Sequence, residues 1–409
     1  MNFLSISPKP LRLMNKRYVL FSLINLFVSI SFSMVSTTMS RYIHGIGMTV
    51  AVAGAVTGAF SIAAMVIRPF TGFVSDRFSR KKLLVFSNAF MACCTFLYSL
   101  TNDPNVLLLL RVLHGLAFGI SSTVNMAVIP GFVPENRIGE AISYFGLCQS
   151  LAVAVGPSIG LALAGSGGFG LTFAVSALLT VVGVVIALAI DFKGPERPES
   201  TVAPKRLSVK FSDIIAVECL IYAAVDIAIA SASGLENSFI ALYGAAVGIE
   251  NIGWYFTLSA VTLIVSRLIF GKLADKKGTG FALYPGIAMI MIGMIILWRQ
   301  SAPWMFAAAA VIKTLGVGMV RPAIQAASVK AVPPERRGAA SSTYYFGSDI
   351  GQGTSPLIGG KIVDATGGNY GLAFGIYTLP LAAACFLYGL YTKRQKQKAQ
   401  KVDAQAAAH

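Results

Sequence analysis

The chain has 409 residues, 55% hydrophobic and only 12% charged, with a mean hydropathy of +0.70 and a formal net charge of +16. A soluble domain carries about 25% charged residues, so this composition excludes a soluble globular fold. It also excludes a nucleic-acid binder, because no polar folded domain exists to carry a basic patch.

Taken in chain order, apolar runs of membrane-spanning length, about 20 residues each, lie at 18–40, 49–73, 83–100, 105–127, 138–163 and 169–190. Six more follow at 213–233, 247–271, 281–298, 303–326, 338–360 and 370–392. They predict an all-α membrane protein of 12 transmembrane helices. The organisation expected is an N-terminal six-helix bundle over 1–192, a linker at 193–212, a C-terminal six-helix bundle over 213–392 and a tail at 393–409. The first run is long enough to span and lacks a small-residue cleavage pattern, so it reads as a helix rather than a cleavable signal. Residues 400–409 are polar and Ala-rich and are expected to be disordered.

The two sets of spans repeat each other. Arg68, Gly72 and Asp76 recur as Arg267, Gly271 and Asp275, each 199 residues later. The offset persists in Pro157 and Gly160, which answer Pro356 and Gly359. In-phase self-similarity over half the chain predicts two pseudo-symmetric bundles, with a substrate site between them.

Basic residues fall on one side of the proposed membrane. The first segment, the even-numbered loops, the central linker and the tail hold 25 of the 33 Lys and Arg. The opposite loops hold only Arg41, Arg299 and Lys361. By the positive-inside rule both termini are expected in the cytoplasm, with the chain in the plasma (inner) membrane. The five cysteines all lie in apolar runs and read as packing residues.

At the end of the second span, Gly72-x-x-x-Asp76-Arg77-x-x-Arg80-Lys81-Lys82 resembles the loop signature of the major facilitator superfamily, with Ser79 where a second glycine is common. Gly271-x-x-x-Asp275 stands where that family repeats it. The fourth span carries Arg111-x-x-His114-Gly115, similar to the family's fourth-helix signature. The fifth carries Gly156-Pro157-x-x-Gly160, similar to the core of its antiporter motif, with a cousin around Pro356. The resemblance covers nearly the whole chain. It implies a two-bundle fold, transport by alternating access and, through the antiporter motif, export. In this reading Gly72, Asp76, Arg77, Gly271 and Asp275 form a conformational latch, since an acid at a helix end can accept from the N-terminus of a helix in the other half. Gly156, Pro157 and Pro356 are expected to bend their helices.

Ionisable residues inside spans are functional by default, because an unpaired charge there is expensive. Asp226, Asp349 and Arg111 are candidates for proton coupling, with Glu218 nearer a span end. Arg111 lies about two turns inside its span and is expected to face a cavity rather than snorkel. Lys313 and Arg321, eight residues apart, fall near one face of the tenth span. Either is a candidate partner for Asp349 in a salt bridge that breaks on protonation. The substrate cavity is expected to include Asn25, His114, Gln149, Lys313, Arg321, Tyr345 and Gln352. His114 alternatively reads as a packed, hydrogen-bonded residue. Basic groups at least match acids here, which favours an anionic, zwitterionic or polar amphiphilic solute.

The expected function is therefore proton-coupled efflux of a small organic molecule, similar to the drug:proton antiporters. The alternative is a symporter or facilitator importing a sugar or organic anion. No metal-protease motif, phosphate-binding loop or histidine cluster occurs in the sequence. Neither enzyme activity, nor a cofactor, nor a metal is expected. The partners are the solute, protons and the bilayer, and the working unit is a monomer.

Overall fold

The computed structural model describes residues 14–134, 137–190, 215–249, 252–277, 279–300, 302–333 and 336–407. Among them the chain is helical, with no strand. The long elements are α1 (Lys16–Gly45), α2 (Val50–Arg77), α3 (Arg80–Leu97), α4 (Pro104–Val128) and α5 (Ile138–Ala189). After the segment at 191–214, which lies outside the described residues, come α6 (Leu220–Ala246), α7 (Gly253–Lys277), α8 (Thr279–Trp298), α9 (Pro303–Lys330) and α10 (Arg337–Ala365). A short α11 (Tyr370–Ile376) leads into α12 (Thr378–Ala407).

Side-chain caps start several helices where the sequence changes from polar to apolar. Asn15 accepts from the Tyr18 N–H at 3.0 Å, and Thr49, Ser79, Asp103 and Asn369 do the same for α2, α3, α4 and α11. Pro104 follows its cap, where a missing N–H costs nothing.

The fifth and sixth expected spans are two helices, numbered together as α5, that meet at a kink at Gly168. In α5 the dihedrals leave the helical region only at Gly168, with φ of 77°, a left-handed conformation that glycine adopts freely. The two passages of α5 make α6 the seventh span of the sequence. Nine segments of the described residues are long and apolar enough to cross a membrane. The helices α7 and α10 fall outside that set. For α10 the reason is its position: it packs between α2 and α6, so protein rather than lipid meets its polar residues.

The backbone stays helical on both sides of Pro157 and Pro356, since neighbouring groups in a membrane helix can accommodate the lost bond. One expectation changes here. The tail, expected to be disordered, continues α12 to Ala407, as its run of Ala, Lys and Gln favours.

Each half has its own aromatic core. In the first, Phe21 packs on Phe132 and Phe145 at centroid distances of 5.3 and 5.5 Å. In the second, Tyr243 packs on Phe306 and Phe374 at 5.2 and 5.8 Å. The halves meet along two antiparallel seams, α2 on α10 and α5 on α7. We call the side where α1 begins and α2 ends the basic face, and the opposite side the far face. Lipid offers no hydrophobic drive between helices, so close approach depends on small residues. A Cβ on Gly54 would collide with the Pro356 carbonyl, and one on Gly58 with the Gly353 carbonyl.

Hydrogen bonds lock the far-face ends. Asp364 at the end of α10 accepts from the Val50 and Ala51 N–H groups at 3.1 and 2.8 Å, a carboxylate on the positive end of α2. On the other seam the Ser158 hydroxyl donates to the Gly253 carbonyl at 2.8 Å and lies 2.8 Å from Thr257 Oγ1. These contacts join the two halves at the far face.

Candidate functional site

At mid-depth the seams carry charge. Arg68 of α2 reaches Asp349 of α10, Nε to Oδ2 at 2.9 Å and Nη2 to Oδ1 at 3.4 Å. The sequence suggested Lys313 or Arg321 as the partner of Asp349. The partner is instead in the other half, because α2 and α10 run antiparallel in contact and their register sets these two residues opposite each other. The Asp349 side chain keeps 10% exposure and that of Arg68 26%, while Nε and Oδ2 themselves are buried, so water reaches the edge of the bridge and not its short contact.

Arg321 is engaged elsewhere. Its Nε and Nη2 donate to the two carboxylate oxygens of Asp226 at 3.1 and 3.2 Å. The Tyr344 hydroxyl donates to Asp226 Oδ1 at 2.9 Å. Arg321 Nη2 also donates to Ser348 Oγ at 2.6 Å, and Gln352 Nε2 reaches the same hydroxyl at 3.3 Å. Asp226 is fully buried, whereas the Arg321 side chain is 30% exposed. Lys313 pairs with Glu236, and both are buried. The antiparallel helices α9 and α6 thus share two ion pairs, Arg321 with Asp226 and Lys313 with Glu236. Glu236 went unnoticed in the sequence, although the cost of an acid amid an apolar span applies to it as much as to Asp226.

Other predicted residues lie apart from this layer. Arg111 is 1% exposed, with its guanidinium 4.8 Å from the Phe60 ring centroid and Nε 3.4 Å from the Val56 carbonyl. It was expected to face a cavity; instead α2 covers it. His114, one turn on, is buried with Nδ1 3.0 Å from the Tyr98 hydroxyl, a packed position inside the first half. Asn25 is buried and donates to the Phe145 carbonyl at 3.3 Å. Gln149 and Tyr345 are exposed, and the Tyr345 hydroxyl accepts from Gln325 at 3.0 Å. Gly156 sits against Ser33 and the Ile30 carbonyl of α1, so its role is close packing. The latch residues Gly72, Asp76, Arg77, Gly271 and Asp275 lie outside the residues whose side chains are described. No cluster of His, Cys, Asp or Glu suited to a metal occurs among the described residues.

The remaining charged group of the layer is Arg267 of α7. Its Nη1 donates to Ser150 Oγ of α5 at 2.7 Å, again across the seam. Ser150 is a second residue of the layer that is silent in the sequence, since one serine in an apolar helix carries no signal of its own.

An arrangement of two bundles with charges between them can change its pairing as the halves move, which is what carrying a solute across a membrane requires. Comparisons with known proteins agree. The family model described as Major Facilitator Superfamily matches residues 21–298 and again 214–408. The chain is 29% identical over 358 residues to "Uncharacterized MFS-type transporter YhhS" of Salmonella paratyphi C (strain RKS4594), covering 85% of this chain and 86% of the relative. It is 23% identical over 339 residues to "Uncharacterized MFS-type transporter MJ1560" of Methanocaldococcus jannaschii, covering 81% and 87%. The crystal structure of nucleoside transporter NupG superposes with a TM-score of 0.72 at 13% identity, covering 92% of this chain and 99% of that one. The chain belongs to the major facilitator superfamily and is an integral membrane secondary transporter.

Proposed function

We propose that this transporter exports a small organic solute in exchange for protons, through the plasma membrane, with the basic face, both termini and the linker in the cytoplasm. The observation that carries the reading is the Arg68–Asp349 bridge. It joins the two halves, it is partly open to water, and it holds a carboxylate in a setting where burial penalises the charged form. Protonation of Asp349 removes one of its charges and loosens one seam, so proton binding biases the equilibrium between the two faces. Asp226, fully enclosed and held by a guanidinium and a phenol, serves better as an anchor inside the second half. Export rather than import rests on the Gly156-Pro157-x-x-Gly160 sequence. The working unit is taken as one chain.

The test is uptake of a panel of amphiphilic solutes into inverted membrane vesicles with an imposed proton gradient. At least one solute should accumulate above its outside concentration and leak out when a protonophore is added. Equilibration that ignores the gradient would support the facilitator alternative and contradict this reading. Orientation is checked with an impermeant thiol reagent on intact cells. A cysteine at Ser166, on the far face, should react, and one at Gln395 should not; the reverse pattern would invert the topology.

A further inference from the structure

We infer that Arg267 is the anchor for an anionic group of the transported solute, a carboxylate or a phosphate. This rests on the transport reading above. It starts from the repeat: adding the offset of 199 to Arg68 gives Arg267, and adding it to Ser150 gives Asp349. The two mid-depth contacts between the halves, Arg68–Asp349 and Arg267–Ser150, are therefore pseudo-symmetry mates. In one the guanidinium meets a carboxylate. In the other, the position of the carboxylate is occupied by a serine.

A hydroxyl satisfies one donor and none of the charge. Among the described residues no carboxylate pairs with Arg267, and its charged neighbour in the layer is Arg321, which carries the same sign. Three guanidiniums (Arg68, Arg267 and Arg321) share this depth with two carboxylates, Asp226 and Asp349. One negative charge would complete the layer, and ionisable groups inside membrane spans are found paired with one another.

Arg111 is the other cation in a span without a carboxylate partner among the described residues, but it is sealed beneath Phe60 and out of a solute's reach. Arg267 is exposed. Nor does it reach for the lipid headgroups, as a snorkelling arginine would. Its Cα lies ten residues from the end of α7 at Lys277, about 15 Å from the basic face at 1.5 Å per residue. Its guanidinium binds Ser150, twelve residues inside α5 from Ile138, about 18 Å deep on the same scale. It points inward. The planar fork suits the two oxygens of a carboxylate or phosphate.

The experiment measures binding to the purified full chain in detergent, by thermal melting at constant ionic strength. The probes are benzoate, phenyl phosphate and the neutral isostere benzamide. At least one of the two anions should raise the melting temperature saturably, and benzamide should not. Arg267→Gln should weaken that binding by about tenfold or more, the worth of one charge-assisted bond pair. Ser150→Asp supplies the missing carboxylate from within the protein. It should melt no lower than wild type and lose the anion response, which keeps the test decisive if the Arg267 variant does not fold. Which anion binds distinguishes carboxylate from phosphate. No response to either anion, an equal response to benzamide, or undiminished anion binding in Ser150→Asp would each overturn the assignment. Vesicle transport does not enter this measurement. Failure here leaves proton-driven export standing, and failure of accumulation in vesicles leaves anion binding standing.

Discussion

Asp349→Asn is expected to abolish gradient-driven accumulation while leaving solute-for-solute exchange near the wild-type rate. Asparagine keeps an oxygen for Arg68 but holds the position permanently neutral, so the seam between α2 and α10 remains in its loosened condition whatever the pH. The imposed proton gradient sets the accumulation ratio that wild type can reach, and in the variant that ratio should fall to unity. Counterflow of labelled against unlabelled solute, with no proton gradient, separates loss of coupling from loss of binding. If the variant still pumps uphill at the wild-type rate, Asp349 is structural and the proton has another carrier.

Arg321→Gln should have the largest effect on stability. It strips the guanidinium from Asp226, a fully buried carboxylate, and breaking a buried pair from one side costs about 3–5 kcal/mol. The converse change is milder. Asp226→Asn leaves an arginine that is already 30% exposed, keeps Ser348 as a partner and can still accept from Tyr344. Thermal melting in detergent should therefore rank wild type above Asp226→Asn and Asp226→Asn above Arg321→Gln. Combining the two should recover part of the loss, because no uncompensated charge is left. An Arg321→Gln protein that melts with wild type would show that water or another cation reaches Asp226.

The class of the protein was legible because a bilayer imposes length and polarity rules that a sequence cannot hide. Apolar runs, basic loops and the offset of 199 follow from those rules alone. The partners of the buried charges were not legible in the same way. Lys313 and Arg321 were placed on one face of a helix correctly by spacing, and both do reach α6. Which acids await them depends on the register of α9 against α6, and that register is a tertiary fact. Asp349 shows the same limit more sharply. Its spacing from residues in its own half says nothing about Arg68, which comes near only because glycines let α2 and α10 touch. Arg111 was read as cavity-facing from cost alone, and cost is satisfied equally by an aromatic face and a carbonyl. Ser150 gains meaning only when its symmetry mate is seen to be an acid.

The central claim, that the charge state of Asp349 biases the two halves between their arrangements, can be tested without knowing the solute. Spin labels at His44 and Thr366, both exposed at the far face on opposite halves, report the separation there by pulsed electron resonance. The background should lack the five native cysteines. In wild type the populations of closed and open far-face distances should change between acid and neutral pH. In Asp349→Asn they should stay the same across that range, while Asp226→Asn should still respond. A pH response in Asp349→Asn equal to that of wild type would contradict the account.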